Sequence, residues 1–106
     1  MTWLQAYLLT QAVEVPVYLY AGRSLPASRR WFLALAASTV THPVVWYVFP
    51  WSTVPWWMCF WGAESFAVVV EGAMGRALGL ARPWLWALVA NTASVLVGFG
   101  VQWGLR

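Results

Sequence analysis

The stretch 61-WGAESFAVVVEGAMG-75 sets two carboxylates, Glu64 and Glu71, among small and apolar side chains. The 106-residue chain has only three acidic residues, and two of them lie here. They are seven apart, which is two helical turns, so a helix carries both on one face. What surrounds that helix follows from the rest of the chain. It is 62% hydrophobic and 8% charged, where soluble domains average roughly a quarter charged. Six basic and three acidic side chains cannot cover the core of a soluble protein of this length. The composition suits the lipid bilayer as solvent, and the mean hydropathy of +0.67 agrees.

The length fits four spans of about 20 residues joined by short loops. The expected fold is all-α: a polytopic integral membrane protein with one transmembrane domain over residues 1–106. Its four transmembrane helices are placed at 3–21, 31–50, 56–75 and 84–103, packed as a bundle. The N-terminal run "MTWLQAYLLTQAVEVPVYLY" has no basic n-region and no small-residue cleavage site, so it reads as a retained first span. Cys59 is the sole cysteine, which excludes an internal disulfide, and it reads as a packing residue near the outer end of span three.

All six basic residues are arginines. A net charge of +3 with no run of like charge excludes nucleic-acid binding. Loop one, "AGRSLPASRR", carries Arg23, Arg29 and Arg30, and loop three, around "GRALGLARP", carries Arg76 and Arg82. Loop two, "WSTVP", has no charge. The positive-inside rule puts loops one and three in the cytoplasm and both termini outside, in a multi-pass protein of the cell membrane. Arg106 alone departs from this bias. Of the ten tryptophans, Trp3, Trp51, Trp56, Trp57 and Trp103 would lie at the outer interface, and Trp31, Trp84 and Trp86 at the inner one. Trp46 and Trp61 fall deeper and pack or line something. "GRALG" (75–79) and "GVQWG" (100–104) have the small-xxx-small spacing of close helix contacts. Pro16 and Pro43 lie inside spans, where each removes a backbone hydrogen bond and is expected to kink the helix.

The strongly polar side chains inside the spans are Gln11 and Glu14, His42, Glu64 and Glu71, and Asn91. At about 1.5 Å per residue, Glu14, His42 and Glu64 lie roughly 12–16 Å from the outer edge, and Asn91 and Glu71 roughly 19–22 Å. All five ionisable or amide groups named last fall near the midplane of a ~30 Å core. Gln11, Glu14 and Tyr18 share one face, as do Ser38 with His42 and Asn91 with Ser94. Turned inward, these stripes build one site, because ionisable groups at mid-depth face the bundle interior and each other. Three carboxylates and an imidazole cannot all be charged there, so at least one Glu is expected to hold a proton at neutral pH.

The expected function is binding or transport of a cation with proton coupling. Its ligand and proton-binding residues are Glu14, His42, Glu64, Glu71 and Asn91. The expected core is Glu14 and Glu64 with His42, the imidazole pairing with Glu64; Glu71 and Asn91 form the inner side of the path. More local roles are open to three residues. Glu71 can pair with Arg76 or Arg82, His42 can bond a carbonyl freed by Pro43, and Asn91 can serve as an interhelical bond. A metal, if any, would take His42, Glu64 and Glu14, but no two such ligands sit at i,i+3 or i,i+4. No cofactor is implied; one histidine is a slender basis for a haem or chlorophyll ligand. Nucleophilic serine and glutamate-protease motifs are absent, which makes an intramembrane enzyme the least favoured class.

In length, in having four spans and in Glu14 within "QAVEVPVY", the chain resembles the small multidrug resistance transporters. That resemblance implies that Glu14 exchanges protons for cationic substrates in a dimer. Glu64, Glu71 and "THP" (41–43) have no counterpart there, and "ESFAVVVEGAMG" is not that family's Gly-rich third helix. A different class is an accessory subunit of a larger membrane assembly, its carboxylates paired with a partner helix. Either way the expected partners are the lipid bilayer and further copies or other membrane subunits.

Overall fold

Helix boundaries follow from capping and proline chemistry along the chain. The computed structural model describes residues 2–104 as four α-helices: α1 (Trp3–Ala21), α2 (Ala27–Tyr47), α3 (Trp56–Ala77) and α4 (Pro83–Gly104). No strand occurs among the described residues. Arg106, the exception to the arginine bias, lies outside them.

Thr2 opens α1 through a capping box. Its Oγ1 accepts the Gln5 N–H at 3.1 Å and the Gln5 Oε1 accepts the Thr2 N–H at 3.0 Å. α2 begins directly after Pro26 and ends at Tyr47, before Pro50, whose ring disfavours helical backbone at the preceding residue. It therefore overlaps the segment placed at 31–50 but starts and ends about a turn earlier. α3 ends in a Schellman turn. The Leu80 N–H reaches the Gly75 carbonyl at 2.8 Å and the Gly79 N–H reaches Arg76 at 3.1 Å, with Gly79 at φ +89°. Pro83 then starts α4, where its missing N–H costs nothing. α1 and α2 each run as a single helix through Pro16 and Pro43.

Short loops make sequence neighbours antiparallel. Each helix packs on the next, and α1 closes the ring against α4, giving a four-helix bundle of 41 × 25 × 19 Å. The antiparallel ring gathers Arg23, Arg29, Arg30, Arg76 and Arg82 at one end. The other end has no charge among the described residues.

The interior stripes are narrow and small. α2 contributes Ala34, Ala37, Ser38, Thr41 and His42; α3 contributes Cys59, Ala63, Ala67, Glu71 and Gly75. α1 turns Glu14, Tyr18 and Ala21 inward, and α4 turns Ala87, Ala90 and Asn91 inward. Glu71 is 1% exposed and Glu14 2%, whereas Leu96 is 66% and Leu8 58% exposed. The polar side chains are thus inside and many large apolar ones outside. By length and composition alone, α4 is the one described helix apolar enough to cross a membrane. The other three carry Gln11, Glu14, Arg29, Arg30, His42, Glu64 and Glu71, which lower their hydropathy.

The glycine pairs act differently from the helix contacts expected of them. Gly75 makes room for Leu80 and Pro83 in the following loop, Gly79 supplies the turn, and Gly100 and Gly104 face open space. The close approach is at Gly72, where the Trp84 ring occupies the volume a Cβ would need.

Candidate functional site

Glu71 is the point where the four helices meet. Its position on α3 continues the Cys59, Ala63, Ala67 stripe by one more turn, so small residues above it let the neighbouring helices close in. The Tyr18 hydroxyl from α1 donates to Glu71 Oε1 at 2.6 Å. The Asn91 Nδ2 from α4 donates to the same oxygen at 3.1 Å, and Thr41 Oγ1 from α2 donates to Oε2 at 2.8 Å. A carboxylate accepts only, and these three donors fit that form.

Glu14 sits beside this hub. Ser94 Oγ donates to its Oε2 at 2.7 Å, while Oε1 is buried with no donor aimed at it. The Glu14 and Glu71 carboxyls are buried neighbours that repel when both are ionised. No N–H or O–H among the described residues bonds Glu14 Oε1, so a proton on one carboxyl supplies a donor the pair otherwise lacks.

Tyr18, Thr41 and Ser94 complete the site as hydroxyl donors. Tyr18 and Ser94 carry a sequence signal, since they extend the Glu14 and Asn91 stripes. Thr41 had none beyond its place next to His42. A hydroxyl in an apolar helix is more often bonded to its own backbone, and the Ala37 carbonyl, 3.1 Å from Thr41 Oγ1, competes with Glu71 for its one hydrogen. Gln11 belongs to a separate network toward the outside of α1 and α2. It accepts from Ser38 at 2.7 Å and donates to Tyr7 at 2.8 Å.

The expected core of Glu14, Glu64 and His42 does not assemble. No hydrogen bond or ion pair joins His42 to Glu64 among the described residues. His42 is held by aromatic rings instead, with Trp3 and Tyr7 centroids at 5.7 Å and Trp46 at 5.8 Å. Its Nε2 is buried without a partner. Glu64 is half-buried and makes no hydrogen bond among the described residues. The separation has a simple cause: depth along the axis places residues on one level but leaves their rotation free, and each side chain faces a different neighbour. Pairing of Glu71 with Arg76 or Arg82 is also replaced, by the Tyr18, Thr41 and Asn91 bonds. Five residues turn a helix by about 140° beyond one full turn, which points exposed Arg76 away from Glu71. Asn91 does bond across helices as expected, but its partner is Glu71. Among the described residues no group of three or more His, Cys, Asp or Glu is placed to hold an ion.

His42 and Glu64 do share a cavity. It has a volume of about 230 Å³ and lies in the half of the bundle where α1 and α3 begin and α2 and α4 end. It extends from Ala6 and Gln102 past His42, Trp46 and Glu64 to Ser94, the donor to Glu14. The cavity thus runs from near the charge-free end to Ser94, one hydrogen bond short of Glu14. Comparison with protein-family models, with curated proteins and with solved structures finds no match to this chain.

Proposed function

We propose that this chain is a polytopic membrane protein of four spans, in which the Glu14–Glu71 carboxyl pair binds a proton or exchanges it for a small cation. The observation that carries the proposal is the inverted polarity of the bundle. Glu14, Glu71, Asn91 and Thr41 are buried at its centre, and Leu4, Leu8, Leu88, Leu96 and Val69 face outward. A soluble bundle has the opposite arrangement, apolar stripe inward and charges outward. In hydrocarbon the present arrangement is the favourable one, since mid-depth ionisable groups turn to the interior. The 41 Å long axis matches a bilayer of about 40–45 Å with its headgroup regions, and the gathered arginines suit a cytoplasmic end.

The carboxyl pair supplies the chemistry. Two adjacent buried carboxyls share a proton in preference to holding two negative charges. With the proton on Glu14, its O–H donates to Glu71, whose own three donors suit the carboxylate form. A small cation in the cavity reaches Ser94, and Glu14 Oε1 lies behind that hydroxyl with no donor bonded to it among the described residues. Cation entry and proton release then leave the site's net charge unchanged.

Purified protein in liposomes with a trapped pH dye tests this. A sodium or potassium gradient is expected to drive a pH change in the vesicle lumen. Glu14→Gln and Glu71→Gln should each abolish it. A pH change of undiminished size in both variants, or none in the parent protein, would overturn the proposal.

A further inference from the structure

The arginine-bearing end of the bundle holds a second cavity, about 290 Å³ in volume. Ala21, Arg23 and Ser24 line it where α1 passes into loop one, and Ala81, Arg82 and Trp86 line it where loop three passes into α4. Small-molecule sites measure about 300–1,000 Å³, so this volume suits a compact group such as a phosphate with a short substituent. Two guanidinium groups and a hydroxyl, drawn from two loops, can donate to one anion there.

The charges at this end have no counter-charge within the chain. All three acidic residues lie elsewhere, Glu14 and Glu71 at the bundle centre and Glu64 beside the cavity in the other half. Arg82 makes no hydrogen bond or ion pair among the described residues. Its backbone has φ +53°, a left-handed conformation that side chains other than glycine adopt at a cost. Arg23 is already oriented. Its guanidinium lies 4.3 Å from the Tyr20 ring centre and its Nη1 donates to the Tyr20 carbonyl at 2.9 Å. Tyr20 in turn packs edge-on against Trp86. A guanidinium has five N–H donors, so most of those on Arg23 and all of those on Arg82 are available to a ligand.

We propose that this cavity binds the headgroup phosphate of an anionic phospholipid. Arg23 and Arg82 clamp the phosphate oxygens from the two loops, and Ser24 Oγ donates to them as well. Trp86 packs beside the headgroup at the membrane interface, and the acyl chains stay in the bilayer. This rests on the membrane-spanning arrangement, which puts the arginine end at the cytoplasmic leaflet, where anionic lipids concentrate. It does not depend on proton exchange at Glu14 and Glu71. An arginine that only anchors a helix end needs no cavity and no particular partner, whereas Arg23 and Arg82 line one cavity together.

Native mass spectrometry of the full chain in detergent tests the assignment with phosphatidylglycerol and phosphatidylcholine of identical acyl chains. Phosphatidylglycerol is expected to stay bound at concentrations where phosphatidylcholine does not. Arg23→Gln and Arg82→Gln should each weaken that binding about tenfold or more. Arg29→Gln and Arg76→Gln, at the same end but outside the cavity, should weaken it no more than about threefold. Arg82→Gly separates binding from folding, because glycine takes a positive φ freely. Its melting temperature in phosphatidylcholine should equal or exceed that of the parent protein while phosphatidylglycerol binding is lost. Equal retention of the two lipids overturns the site, and so do equal losses across all four arginines, which would leave only diffuse attraction. Displacement of phosphatidylglycerol by inorganic phosphate, but not by chloride at equal ionic strength, would make the ligand a free anion and overturn the lipid assignment. Labelling of Ser24→Cys and Thr53→Cys from one side of the membrane would sink the spanning arrangement and this site with it. Labelling from opposite sides with equal retention of both lipids sinks this site alone.

Discussion

At the scale of single residues, Glu71 shows how a carboxylate survives in a bundle of alanines and valines. Each of its three donors comes from a different helix, so removing one leaves a buried acceptor short of a partner. A hydrogen bond to a charged group contributes about 1.5–3 kcal/mol. Tyr18→Phe and Thr41→Val keep shape and lose one donor each. Either should lower stability by about that amount, read as an earlier thermal unfolding transition in detergent. Loss of both is expected to be worse than additive, because the two share one acceptor group. Equal melting of Tyr18→Phe and the parent protein would count against Glu71 as the structural hub. The same residues explain what the sequence left hidden. Glu14, Glu71 and Asn91 stand out by polarity alone, and each does lie at the centre. Tyr18, Thr41 and Ser94 do not, since a hydroxyl earns notice only when its partner is known.

At the scale of the helix, the Trp84 ring of α4 fills the space beside Gly72 of α3. Gly72→Ala puts a methyl group into the indole ring, and overpacking of this kind costs about 1–3 kcal/mol. Gly100→Ala, in the same pair of helices, meets nothing within 4 Å. There the gain is that of helix propensity, up to about 1 kcal/mol. Thermal unfolding of the two variants should therefore move in opposite directions. The spacing of "GRALG" and "GVQWG" pointed to the wrong glycines because spacing is blind to the element a glycine meets. Gly75 meets a loop, Gly79 makes a turn, and Gly72, outside both motifs, meets Trp84 in the first turn of α4.

At the scale of the whole molecule, the two ends of the bundle differ in charge, and this sets its proposed orientation. Ser24 in the arginine-bearing loop one and Thr53 in the uncharged loop two are both exposed. In a Cys59→Ala background, Thr53→Cys in intact cells should react with a membrane-impermeant maleimide. Ser24→Cys should react only after permeabilisation. The reverse pattern would invert the proposed topology, and labelling of both in intact cells would contradict a spanning bundle. Cys59 is buried, so its replacement by a residue of similar size leaves the surface unaltered.

Four helices, their approximate limits and the polar stripe on each were legible in the residues, because capping, proline and the 3.6-residue period act locally. So was the gathering of arginines at one end, which follows from loop order alone. Which polar residues touch was not legible. Depth estimates grouped Glu14 with Glu64 and His42, yet Glu14 lies against Glu71 and Ser94. Contact depends on which way each helix is turned about its axis and on the reach of a glutamate side chain, and depth along the axis carries neither. Those quantities are set by how alanines and glycines on four helices interlock, and that is a property of the packed bundle.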